Sequence, residues 1–201
     1  MPKVVDHEQR RRELGGAVWR VIRSRGVDAA SIRTVAREAG WSAGALRHYF
    51  STQSELLAFA MQMVVERVEA RVAALDPPTD PRKAVEQRLL ELLPLDDERR
   101  AENEVWLAFA GRALVDPELR ARHEEVDEEL RLACLGALQE LDSAGRLRPR
   151  LDLELEVERL HGLLDGLALH TAMRPDRMPY RLIRSVLARH LDSLDPEADG
   201  R

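Results

Sequence analysis

The sequence predicts an all-α fold of about nine helices. Three observations predict it. Ala, Leu, Glu and Arg dominate while β-branched and aromatic residues are sparse. Apolar residues recur at helical spacing along most of the chain, and cap residues, Asp-Pro pairs and glycines punctuate those stretches.

The first helix spans Asp6 to Arg25, with Leu14, Ala17, Val18, Val21 and Ile22 on one face, Asp6 as its cap and Gly26 as its stop. Ser31 caps a short second helix whose Ile32, Val35, Ala36 and Ala39 face inward, and Gly40 ends it. Ser42 caps a third running to about Tyr49. Thr52 opens a fourth, with Glu55 completing a capping box and Leu56, Ala60, Met63, Val64, Val68, Val72 and Leu75 carrying one face onward. The proline-rich run 76–81 stops it, and Asp80-Pro81 starts a fifth helix that Pro94 breaks after about Leu93.

Asp96 opens the sixth helix through Val105, Trp106, Phe109, Ala110, Ala113 and Leu114. Asp116-Pro117 starts the seventh, striped by Leu119, His123, Val126, Leu130, Cys134, Ala137, Leu138 and Leu141. Two more follow, at about 153–173 and 179–194. The alternation of Leu151, Leu153, Leu155 and Val157 briefly imitates a strand, but the glutamates between them and the later helical period favour helix. Residues 196–201 read as a frayed tail.

Composition excludes several classes. No stretch approaches the roughly 20 apolar residues of a membrane span, and residues 1–6 lack the apolar core of a signal peptide, so a cytoplasmic protein is expected. A single cysteine, Cys134, lies on an apolar stripe and reads as a buried, inert thiol. The histidine spacing shows no metal site, and no phosphate loop or nucleophile elbow occurs. Neither cofactor nor enzymatic chemistry is expected. The net charge of −5 hides an asymmetry: residues 1–50 hold ten Lys/Arg against five Asp/Glu, and the remainder 21 against 31. A basic head on an acidic body fits one region that meets a polyanion, although a charged face is often only solvated.

Two short helices joined at Gly40, the second capped by Ser42 and preceded by a supporting helix, constitute a helix-turn-helix. Ala36 and Ala39 permit close helix packing, and Leu46 anchors the second helix of the pair. Its other face keeps Ala43 and Gly44, small enough for backbone to approach DNA, and Arg47 and His48 as donors.

The stretch Leu14 to Leu57, with Ser31-Ile32-Arg33-Thr34-Val35-Ala36-Arg37-Glu38-Ala39-Gly40 and Ser42-Ala43-Gly44-Ala45-Leu46-Arg47-His48-Tyr49-Phe50, resembles the DNA-binding domain of the TetR family. Trp106-Leu107-Ala108-Phe109 and Asp165-Gly166-Leu167-Ala168-Leu169 are loosely similar to its betaine-responsive repressor branch. The resemblance implies a DNA-binding domain at 1–51 and a ligand-binding and dimerisation domain at 52–195. It implies a homodimer that binds a pseudo-palindromic operator in double-stranded DNA and is released by a small-molecule effector. The implied DNA contacts are Ser31, Arg33, Trp41, Ser42, Ala43, Gly44, Arg47, His48, Tyr49 and Gln53. Arg10, Arg11 and Arg12 are possible contacts to flanking phosphates. The chain departs from the family pattern at Arg47, where tyrosine is common, at Gln53, where lysine is common, and at Trp41, where a small aliphatic residue is usual.

Family members dimerise through their last two helices. Here Gly162 and Gly166 share a face, and Ile183, Leu187, His190, Leu191 and Leu194 form a stripe, with internal core packing as the alternative. An effector pocket among the fourth to eighth helices would draw on Met61, Met63, Trp106, Phe109, His123 and His161, again with core as the alternative. Two further readings stay open: a helical protein-interaction module without DNA binding, and a catalyst built on His161 and Asp165, one helical turn apart.

Overall fold

A computed structural model describes residues 7–196, with side chains from residue 10 onward. The expected cap Asp6 and tail residues 197–201 lie outside them. The described elements are α1 (His7–Arg25), α2 (Ile32–Ala39), α3 (Ala43–Arg47), α4 (Gln53–Ala73), α5 (Pro81–Leu90), α6 (Asp97–Ala113), α7 (Pro117–Ser143), α8 (Leu153–Met173) and α9 (Tyr180–Leu194), with 3₁₀ turns at Val27–Ala29 and Pro175–Arg177. No strand occurs among the described residues.

The helix starts follow from local chemistry. Asp80 Oδ1 accepts from the N–H of Arg82, Asp96 Oδ1 from Arg99, Asp116 Oδ1 from Glu118 and Asp152 Oδ1 from Leu155, each satisfying an orphan donor of a first turn. At α4 the box is displaced by one residue. Thr52 Oγ1 accepts from the N–H of Glu55 at 3.0 Å, but the Glu55 carboxylate accepts from Ser51 rather than Thr52.

Helix α5 ends three residues before the expected Leu93. The freed carbonyls of Leu90 and Glu91 accept from Arg99 and Arg71, so arginines distant in sequence cap this end. Leu114, expected on an inward face of the sixth helix, is 75% exposed just past the end of α6.

The chain divides into two compact units. Among the described residues, the first comprises 7–67 with 104–122. Its core joins Leu14, Ala17, Val18, Val21 and Ile22 of α1 to Val35, Ala36 and Leu46, and includes Leu56, Ala60, Met61, Val105 and Phe109. Arg20 pairs with Glu38 at 2.8 Å between α1 and α2, and the Arg67 guanidinium lies 4.1 Å over the Trp19 ring.

Among the described residues, the second unit comprises 68–103 and 123–196. Its core gathers Val85, Leu89 and Leu93 with Cys134, Leu138 and Leu141 of α7, Val157, Leu160, Leu164 and Leu167 of α8, and Ile183, Leu187, Leu191 and Leu194 of α9. Burial pushes the Cys134 thiol up to about 12, which leaves it protonated and unreactive. Arg82, itself buried, donates to Glu86, Asp192 and the Ala188 carbonyl, tying α5 to α9.

Candidate nucleic-acid interface

The turn between α2 and α3 is set at Gly40. Its φ of +71° is left-handed, and a Cβ there would meet nothing within 4 Å, so backbone angle rather than crowding requires glycine. The N–H of Trp41 then reaches 2.8 Å back to the Ala36 carbonyl, closing α2 as a Schellman turn. Ser42 begins α3 at once, its Oγ accepting from the N–H of Ala45 at 3.1 Å. Ser31 does the same for α2, accepting from the N–H of Thr34 at 3.2 Å and pairing with Thr34 Oγ1.

Leu46 is fully buried and anchors α3. Its neighbours Arg47 and His48 are exposed, as is Arg33 on α2, and none of the three side chains makes a hydrogen bond or ion pair among the described residues. Gly44 is exposed and Ala43 half-buried. The surface therefore offers free cationic and imidazole donors beside small residues, on the outer face of a helix held by one buried leucine.

An aromatic cluster flanks this face. The rings of Trp41 and Tyr49 lie 5.6 Å apart, the Arg10 guanidinium sits 5.6 Å over Trp41, and Arg10 Nη1 donates to Tyr49 Oη at 3.3 Å. Because the phenol oxygen accepts from Arg10, its own hydrogen remains free to donate. Gln53, exposed at the start of α4, donates through Nε2 to the Ala30 carbonyl at 2.6 Å. That bond holds the first turn of α4 to the segment before α2.

Two family descriptions match the chain: bacterial regulatory proteins of the tetR family over residues 17–60, and the C-terminal domain of BetI-type transcriptional repressors over 81–196. The chain is 43% identical to the HTH-type transcriptional regulator PksA of Bacillus subtilis over 198 residues, covering 96% of this chain and 94% of PksA. It is 33% identical to the HTH-type transcriptional regulator BetI of Cronobacter sakazakii, covering 86% and 84%. The chain belongs to the TetR family.

Among solved structures, a transcriptional regulator from Rhodococcus sp. Rha1 shares 31% identity at a TM-score of 0.77, covering 92% of this chain and 95% of that one. TetR relatives of this kind are transcriptional regulators, not enzymes, which removes the reading of His161 and Asp165 as a catalyst. No described helix is long and apolar enough to cross a membrane.

Within this TetR chain the six residues expected around an effector divide between the units. Met61, Met63, Trp106 and Phe109 belong to the first, and His123 and His161 to the second. Phe109 is 1% exposed and Met61 4%, so both serve as core in this structure; the face they share with Val105 and Leu56 is the one their unit buries. Trp106, Met63 and His123 are half-buried. Two cavities, of about 490 Å³ by Arg159, Val186 and His190 and about 320 Å³ by Ser31, Gln53 and Arg112, touch none of the six.

The candidate interface residues also separate. Ile183, Leu187, Leu191 and Leu194 are 0–2% exposed within a single chain, so this stripe is core and not a free surface. The physical reason is economy of burial: the most apolar face of α9 covers its own unit. Gly162 is exposed, and Gly166 and His190 are half-buried.

Of what remains outside, Gly162 and Gly166 were expected at the interface, whereas Leu155, Leu169, Met173, Leu182 and Val186 were not. Leu155, Gly162, Gly166, Leu169 and Met173 fall at i, i+7, i+11, i+14 and i+18, one outward face of α8. Leu182 and Val186 share the outward face of α9. Since α8 is apolar on two faces, the signal was present, but helical period alone cannot say which face meets a partner. The fold also brings Asp127 of α7 beside His161 and Asp165 of α8, a grouping invisible in the spacing along either helix.

Proposed function

We propose that this TetR chain is a ligand-responsive repressor of the cytoplasm, which binds a pseudo-palindromic operator as a homodimer and leaves it when a small-molecule effector binds. The observation that carries the reading is the unpaired, exposed Arg47-His48 face on the second helix of the helix-turn-helix. A guanidinium there forks to guanine or phosphate, and His48 donates beside it. Arg33, Tyr49 and Gln53 contact phosphate, with Arg10 adding charge behind the Tyr49 hydroxyl. Ser42, accepting a backbone N–H, keeps a hydroxyl hydrogen to donate, Ser31 presents its hydroxyl paired with that of Thr34, and Ala43, Gly44 and Trp41 shape the surface against the groove.

Residues 1–51 read DNA, and 52–195 bind the effector and the second copy. The outward faces of α8 and α9 support dimerisation: an apolar stripe interrupted by two glycines suits the close approach of a second helix pair. Twofold symmetry then presents two recognition helices to two half-sites. The effector favours a conformation in which α4 moves the heads out of register with successive grooves. By linkage, operator DNA weakens effector binding by the same factor.

The test is a mobility shift against DNA flanking the protein's own gene. Arg47→Ala should weaken operator binding by about 1–3 kcal/mol per subunit and relax preference at one position of each half-site. Arg33→Ala should weaken all sequences alike and lower the salt slope by about one per lost phosphate contact. Unchanged binding by both folded variants overturns the reading.

A further inference from the structure

Between α7 and α8 of the second unit, three ligand atoms of the right chemistry converge without bonding one another. His161 Nε2 lies 3.5 Å from Asp127 Oδ1 and 3.7 Å from Asp165 Oδ2, and one ligand atom from each of the three residues falls within 4.8 Å of the other two. The His161 side chain is only 8% exposed. Its buried Nε2 makes no hydrogen bond among the described residues. A buried ring nitrogen left unsatisfied is costly, and a charge-assisted imidazolium–carboxylate bond would close to about 2.7–2.9 Å. The observed separations are too long for that bond.

The two histidine–carboxylate separations are the right length for an ion between the atoms. A tetrahedral cation with bonds of about 2.0–2.2 Å holds its ligands about 3.3–3.6 Å apart, close to both measured distances. One imidazole and two carboxylates suit a borderline divalent ion such as zinc, cobalt or nickel. Asp127 and Asp165 are 48% and 38% exposed, which leaves an entry path and room for water to complete the shell. Burial, and then the neighbouring Asp127 carboxylate, push the Asp165 carboxyl up, and a dication would offset the same cost without a proton. The helices are held in register one turn away, where Arg131 pairs with Glu158 at 2.9 Å.

We propose that Asp127, His161 and Asp165 bind a divalent transition-metal ion between α7 and α8. The site stands apart from the operator reading, since its test involves no DNA. The full chain, stripped with chelator and titrated with Co²⁺ alone, should retain a single cobalt per chain after desalting, with visible absorption from the bound ion. His161→Gln and Asp165→Asn should abolish both signals. Asp127→Asn, at an exposed position, should weaken cobalt by more than the about 10–100-fold caused by loss of an outer partner. His170→Gln, on the same helix but outside the cluster, should bind as the parent does. A parent chain that retains no cobalt overturns the proposal, as does equal retention by the parent and the folded Asp127→Asn and His161→Gln variants.

Discussion

The arginines of the helix-turn-helix pair and those of the second unit's ion-pair networks do opposite work. In the helix-turn-helix, Arg33 and Arg47 stand exposed and unpaired, whereas in the second unit Arg71 and Arg82 are spent on carboxylates of their own chain. Arg71 forks onto Glu102 at 2.7 and 2.8 Å and reaches Glu91 at 3.1 Å, while Arg99 joins Glu91 to Asp96. Glu102 is 5% exposed, so its charge is tolerable only because the guanidinium satisfies it. A cation left free by the fold is available to a polyanion; a cation consumed by the fold is architecture.

The sharpest way to break that contrast is Arg71→Ala. It should lower unfolding free energy by about 3–5 kcal/mol, because a buried carboxylate loses its partner, with Glu102→Gln in the same chain recovering part of the loss. Chemical denaturation measures both, and a change below about 0.5 kcal/mol, the ordinary range for a surface site, would erase the distinction from Arg47.

Gly166→Leu probes the outward face. A Cβ at Gly166 meets nothing within 4 Å in its own chain, so the monomer should fold unchanged while sedimentation shows dimer lost and operator binding falling with it. A tight Gly166→Leu dimer would move the interface off α8.

Gly40→Ala tests the head through backbone alone. Forcing alanine to φ +71° should cost about 1 kcal/mol and loosen operator binding without removing any side-chain donor. Stability unchanged in a melt would mean that the turn relaxes.

The smallest expected effect is a pH dependence at His190. Burial, then the charge of Arg159, pushes its imidazole below the ordinary histidine range. The unfolded chain therefore binds a proton first as pH falls through about 6.5. Stability should decline from there downward until the folded-state value is passed, and His190→Gln should remove that increment. Identical pH profiles for parent and variant would show His190 solvated.

Helix beginnings were legible because a cap acts within three residues: Ser31, Ser42, Asp80 and Asp96 each accept from an N–H of the turn they open. The end of α5 was not, because its carbonyls are capped by Arg71 and Arg99 from other helices. Within the candidate DNA face, the exposure of Arg47 and His48 opposite buried Leu46 followed from period alone. The Arg10 bond to Tyr49, spanning 39 residues, did not.

By itself, then, the sequence determined the helical class, the order of elements and the helix-turn-helix, since propensity, capping and the left-handed turn at Gly40 are short-range effects. Only the tertiary structure decided which of two apolar faces on α8 and α9 lies inside, that Phe109 is core, and that Asp127 meets His161. Helical period ranks the faces of one helix but carries no information about what covers them, and burial is assigned by competition among all the helices at once.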